Sequence, residues 1–227
     1  MQPRVTTTYQ RWRRRQFICA PMKMNIKLVT FVVATCLLCA SEVNGQSLEI
    51  NTPAEWTTTG TLPSSVREIA GVKLSVDTLD GIQKRFGTAK RFRINKGAAA
   101  DDFLCYESKS HKFLILGSGP MGGWTTLTSI AYGVTPPSGV RENCAASVFD
   151  FDKRAKSAWL TNLPALEKTV RKKTKTTADG FHHVRFEREV KTRQGGNENM
   201  YCSSGVRALA KKSSVIEFAQ IWESCSK

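Results

Sequence analysis

The chain has 227 residues, 41% of them apolar, with 34 basic against 19 acidic side chains and a formal charge of +15. That apolar share excludes a disordered polyelectrolyte and suffices for the packed core of one or two domains. The positive charge favours anionic partners and speeds encounter with them, without selecting among lipid headgroups, acidic glycans or nucleic acid.

Residues 24–45 have the three parts of a secretory signal: Lys23 and Lys27 at the start, an apolar run from Leu28 to Ala40, and a polar stretch ending Val43-Asn44-Gly45. The run is shorter than the ~20 residues that a transmembrane helix needs, and no later stretch approaches that length. A signal peptide cleaved near Gly45 is therefore predicted, leaving a periplasmic or secreted chain that starts at Gln46 and has no transmembrane segment. Two other readings compete. Lipid attachment at Cys36 or Cys39 calls for a small residue just before the cysteine, where Thr35 and Leu38 stand. Arg14-Arg15-Gln16-Phe17-Ile18 resembles a twin-arginine export motif, but Pro21, Lys23 and Lys27 separate it from the apolar run. Residues 1–23 read as an extension upstream of a true start at Met22 or Met24. From residue 46 onward 27 bases face 18 acids, a net +9.

Of seven cysteines, Cys19, Cys36 and Cys39 precede the cleavage point, leaving Cys105, Cys144, Cys202 and Cys225. Four cysteines in an exported chain can pair in three ways, and spacing alone does not decide among them. None of them has the close Cys-Xaa-Xaa-Cys spacing of a zinc or redox motif, so structural disulfides are expected.

Residues 46–71, rich in Thr, Ser and Pro, read as an extended lead-in with one short strand around Val66–Ile69. Leu79, Ile82 and Phe86 then recur at helical spacing, with Asp77 or Thr78 as cap and Gly87 as stop. Strand-like runs follow at Ala89–Ile94, Phe103–Ser108, Lys112–Ser118 and Leu127–Val134, and Pro136-Pro137-Ser138-Gly139 closes the unit. The order then repeats: a helical stripe of Leu160, Leu163, Leu166 and Val170, followed by strands His182–Lys191, Met200–Leu209 and Ser214–Trp222. The predicted fold is α+β, with two tandem lobes at 72–150 and 155–227, each a helix or helical hairpin packed on an antiparallel sheet of about four strands. Each unit brings a second cysteine to its final strand, which favours pairing Cys105 with Cys144 and Cys202 with Cys225.

The run Leu74-Ser75-Val76-Asp77-Thr78-Leu79-Asp80-Gly81-Ile82-Gln83-Lys84-Arg85-Phe86-Gly87-Thr88-Ala89 resembles the opening motif of the β-lactamase-inhibitor-protein-like fold, in which a short helix ends in a Gly-Xaa-Pro/Ala turn. Leu104-Cys105-Tyr106 and Met121-Gly122-Gly123 resemble features of periplasmic members of that fold, to which small outer-membrane assembly lipoproteins also belong. The likeness covers roughly residues 72–134. It implies helices packed on four-stranded sheets, a concave surface shared by the two sheets, and a protein-binding rather than catalytic role. The second lobe departs from the pattern, with Arg171-Lys172-Lys173 where the glycine-ended helix would fall.

Candidate chemistry is sparse. Gly117-Ser118-Gly119-Pro120-Met121-Gly122-Gly123 precedes a predicted strand, whereas a phosphate loop needs a following helix, so it reads as a hairpin loop. Ser118 as a nucleophile would need one of His111, His182 or His183 as its base, and it lacks the strand-turn-helix elbow. His182 and His183 point to opposite faces of a strand and cannot share a metal. Asp101-Asp102 and Asp150-Phe151-Asp152 lack the ligand spacing of a calcium loop. Lys168, Arg171, Lys172, Lys173 and Lys175 form the strongest basic cluster. It is free of interleaved aromatics, which points away from nucleic acid and toward an anionic membrane or an acidic protein partner. Trp124, Tyr132, Tyr201 and Trp222 are candidates for a protein-binding face, with Trp159 a further aromatic, since aromatics dominate interface hot spots. The sequence thus predicts an exported, non-catalytic protein-binding module, an inhibitor, adaptor or envelope-assembly component, with no cofactor and no metal. The alternatives are a cationic protein that binds anionic lipid or glycan, and a small exported hydrolase.

Overall fold

The stripe Leu79, Ile82, Phe86 forms α1 (Leu79–Phe86), and all three side chains are buried. Thr78 caps it by accepting from the Gly81 N–H at 3.1 Å, and Gly87, at φ 100°, ends it in a conformation that suits glycine. The second stripe forms α2 (Leu163–Val170), capped by Asn162, whose Oδ1 accepts from the Ala165 N–H at 2.9 Å. A short 3-10 turn, Ala158–Leu160, precedes it. The computed structural model describes residues 56–93, 101–119, 126–137, 139–191, 199–211 and 214–226. The upstream extension, the signal peptide and the start of the lead-in lie outside these residues.

Twelve strands are present among the described residues: β1 (Thr57–Thr59), β2 (Glu68–Ile69), β3 (Val72–Lys73), β4 (Phe92–Arg93), β5 (Asp102–Glu107), β6 (Phe113–Ser118), β7 (Ser129–Gly133), β8 (Cys144–Ala146), β9 (Lys175–Thr176), β10 (Phe181–Lys191), β11 (Asn199–Ala210) and β12 (Ile216–Ser226). Ten of them make one mixed sheet in the order β1-β10-β11-β12-β7-β6-β5-β4, with β8 also on β5 and β9 also on β10. β1 runs parallel to β10 and β8 parallel to β5, while the other pairings are antiparallel. β2 and β3 form a separate two-stranded ribbon.

This arrangement overturns the expected α+β fold of two tandem lobes, each with its own sheet of about four strands, and with it the concave surface between two sheets. The predicted helices and most of the predicted strands exist, but their strands join. β7, from the first helix-and-strands unit, pairs with β12, from the second, with Phe218 opposite Gly133 and Trp222 opposite Ser129. A sheet that ended at β7 would leave a row of unpaired N–H and C=O groups, and β12 satisfies them. Local periodicity specifies strands, not their partners across 85 residues of chain, which is about the separation of Gly133 and Phe218.

One core consequently serves both units. Leu79, Ile82 and Phe86 of α1 and Leu166 and Val170 of α2 pack in the same cluster with Leu104, Leu116, Ile130, Ile221, Val206 and Val184 of the sheet. The lead-in is part of it too, since Leu62, Val66, Ile69 and Ala70 are buried there and β1 lies against β10. A smaller cluster on the other face gathers Phe103, Cys105, Phe113, Ile115, Ala131, Val140, Phe181 and Phe218.

Both disulfides follow the favoured pairing, for reasons of register rather than of lobes. β8 lies along β5 with Cys144 opposite Cys105, and Cys202 of β11 stands opposite Cys225 of β12. No helix among the described residues is long and apolar enough to cross a membrane.

Candidate functional site

On the face away from the helices, strands β10, β11 and β12 carry successive rows of side chains set by their register. Phe181, Leu209 and Phe218 make an apolar row, and the next row is His183, Arg207 and Gln220. Arg207 is only 2% exposed. Its Nε donates to Gln220 Oε1 at 2.8 Å, and its guanidinium lies 4.8 Å from the centroid of the Phe181 ring. His183 Nε2 is 3.3 Å from the Thr177 hydroxyl, which also donates to the Asp179 carboxylate.

Electrostatics in this row follow from burial. Loss of water pushes His183 down to about 4, the Arg207 charge and His182 add to the effect, and Asp179 opposes it. Burial likewise brings Arg207 down to about 10, against the pull of Asp179. For Asp179 burial acts upward, but donors from the Thr177 hydroxyl and the Phe181 N–H, with His183, hold it below its ordinary value.

Beyond this row the sheet opens into a groove of about 420 Å³, lined by Arg185, Glu187, Tyr201, Ser203, Trp222 and Ser224, with Cys202 at its margin. Trp222 is its floor. The indole lies across Gly205, its partner on β11, where an added Cβ would come within 2.5 Å of Trp222 Cη2. Glycine inside a strand is otherwise costly, and here it gives the ring its place. Arg185 and Glu187, two apart on β10 and therefore on one face, pair at 2.6 Å. Tyr201 is 60% exposed. The Cys202–Cys225 bridge crosses the same two strands one residue from Tyr201, Ser203 and Ser224, fixing the groove's walls relative to each other.

A planar aromatic floor, a projecting phenol, a fork of opposite charges and two serine hydroxyls can grip a ligand by stacking and directed hydrogen bonds. No histidine is among the described residues that line the groove. Ser118 is buried and donates to the Thr126 carbonyl at 2.8 Å, while His111 is at 2.7 Å from Glu107, and His182 at 3.2 Å from Thr176.

Of the aromatic candidates, Tyr201 and Trp222 come together in the groove. Tyr132 lies on the opposite face beside the main core, where its hydroxyl donates to Asp152 Oδ1 at 3.2 Å and burial raises its pKa, with Asp152 adding to the rise. Trp124 lies outside the described residues, and Trp159 is core. Lys168, Arg171, Lys172 and Lys173 line a separate depression of about 410 Å³ with Pro164 and Glu167. Lys175 stands on β9 with its ammonium 5.6 Å from the Trp56 ring centroid. Asp102 pairs with Arg93 at 2.6 Å, Asp150 with Lys153 at 3.0 Å, and Asp152 accepts from Tyr132 and Ser110.

Sequence reasoning missed Arg185, Glu187, Ser203, Gly205 and Ser224. The signal was present in two places: Arg185 and Glu187 alternate within a strand-like run, and Gly205 interrupts another. Comparison with protein families, curated proteins and solved structures finds no match for the chain.

Proposed function

We propose that the chain is an exported, non-catalytic protein-binding module whose contact surface is the groove formed by Tyr201, Trp222, Arg185 and Glu187. One observation carries the reading: an exposed tyrosine and a tryptophan-floored groove sit on strands tied together by a disulfide. Pre-positioned aromatic and arginine side chains are what interface hot spots are made of, and rigid strands lower the entropy lost on binding. The use of the Ser118 hydroxyl by a backbone carbonyl supports binding over hydrolysis. The two disulfides support a periplasmic or secreted setting, with the signal peptide cleaved near Gly45.

The test is capture of partners from the envelope and secreted fractions of the source cells at high salt, with wild-type protein and with Tyr201→Ala and Arg185→Ala. A protein retained by the wild type and weakened by at least about 30-fold in either variant, the scale of a hot spot, supports the reading. Equal retention by all three removes the groove from the interface.

A further inference from the structure

Several basic side chains sit against carboxylates: Arg67 and Arg188 on Glu223, Arg85 on Asp77, Arg91 on Asp80, Arg93 on Asp102, and Lys211 on Glu217. The turn after α2 instead gathers its cations around one depression. Lys168, Arg171 and Lys172 are exposed and have no carboxylate partner among the described residues, and they face one depression of about 410 Å³. Its one acid, Glu167, is already engaged: Lys173 Nζ is at 2.7 Å, and the Thr174 N–H and hydroxyl both donate to the other oxygen at 2.9 Å. Burial works against its charge, but these donors prevail and hold its pKa below the ordinary value. Glu167 thus acts as the strut of the turn.

The backbone adds a second observation. Arg171 adopts the left-handed conformation at φ 55°, at a helix end where glycine is the usual occupant. A strained residue that keeps its long cationic side chain is an outlier from which a role can be argued. Here the strain sets a guanidinium beside Lys168 and Lys172, and such clustering is self-repelling until an anion arrives.

We propose that this depression is a binding site for an acidic polysaccharide, whose sulfate or carboxylate groups engage Lys168, Arg171 and Lys172. The surroundings favour this class. Peripheral membrane binding adds apolar insertion to charge, whereas the large apolar side chains exposed on the described surface are Val76, Val134, Val148, Tyr201 and Val215, none of which lines the depression. Single-stranded nucleic acid needs aromatic platforms, and the ring near the cluster, Trp56, is half-buried beneath Lys175. The helix C-terminus turns its carbonyls toward the turn, so the anion is met by side chains, as suits a flexible polymer with spaced charges.

The experiment measures binding of the full chain to heparin over a range of salt. The wild type is compared with the triple variant Lys168→Ala/Arg171→Ala/Lys172→Ala and with a charge-matched control, Lys84→Ala/Lys90→Ala/Lys109→Ala, whose cations lie outside the depression. The cluster variant is expected to lose more than about tenfold in affinity near physiological salt. Its log K against log salt should flatten by roughly two to three units, following counterion release, with the control changed by less than about threefold. Arg171→Gly separates site from scaffold: glycine suits the left-handed turn, so the variant should melt no lower than wild type and still bind heparin several-fold more weakly. Equal losses in cluster and control variants would overturn the proposal, as would tighter binding to phosphatidylglycerol vesicles or single-stranded DNA than to heparin.

Discussion

Two adjacent rows of the same sheet, one on each face, differ completely in character. On the face under the helices, Val184, Val206, Ile221, Ile130, Leu116 and Leu104 stand opposite one another in register across six strands, all apolar and buried. One residue along, on the other face, the row runs His183, Arg207, Gln220, Ala131, Ile115, Cys105 and Cys144. The first row crosses from one helix-and-strands unit to the other without a change of chemistry. The second changes at the β12–β7 junction, polar on one side and apolar with a disulfide on the other. The larger core lies on the helix-covered face, while the opposite face divides into a smaller apolar cluster and, on β10 to β12, a region with buried charge and an open groove.

The sharpest way to break this contrast is Phe86→Ala. Phe86 is fully buried against Tyr106, Phe149 and Phe151 on the helix side, and its loss should cost about 3–5 kcal/mol in chemical denaturation. A cost below about 1 kcal/mol would mean that this face is not where stability resides. Next in size is the acid response of the polar row. The folded chain keeps His183 neutral down to about 4, whereas the unfolded chain takes up a proton near the ordinary 6.5. Its contribution is therefore complete above about pH 6.5 and is lost as pH falls toward 4, by at most about 3 kcal/mol. Denaturation midpoints of wild type and His183→Gln followed from pH 7 to 4 should show the steeper decline in the wild type, and parallel curves would contradict the assignment. The smallest expected effect is Gly205→Ala, which pushes a methyl group into both the Trp222 indole and the Val184 carbonyl on β10. It should destabilise by about 1–3 kcal/mol and alter tryptophan fluorescence, and a neutral result would mean that the groove floor and the neighbouring strand both yield easily.

Much of the element content was legible because it is written in local spacing. Leu79, Ile82 and Phe86 announce a helix, and Thr78 and Gly87 its limits. The short continuous apolar runs around Cys105 and Leu114 announce strands. Pairing is not local. Nothing near Ser129–Gly133 or Ile216–Ser226 says that these segments meet, so a repeated helix-then-strands order suggests two sheets when the chain builds one. The lead-in misled for a related reason, because Leu62, Val66 and Ile69 lie too far apart among Thr, Ser and Pro to show a period, yet each reaches the core. At the groove, Tyr201 and Trp222 were visible as aromatics. Their companions Arg185 and Glu187 come from a third strand and become neighbours only through the register of β10 with β11.

The junction of β7 with β12 also bears on the order in which the molecule can assemble. β12 lies in the middle of the sheet, although among the described strands it is the last to be synthesised. Until it arrives, β7 keeps a bare edge and β11 has only one neighbour, so neither half can finish ahead of the other. Such long-range pairing slows folding, and a chain halted before residue 216 would present two open strand edges, a template for aggregation rather than a smaller working version of the protein.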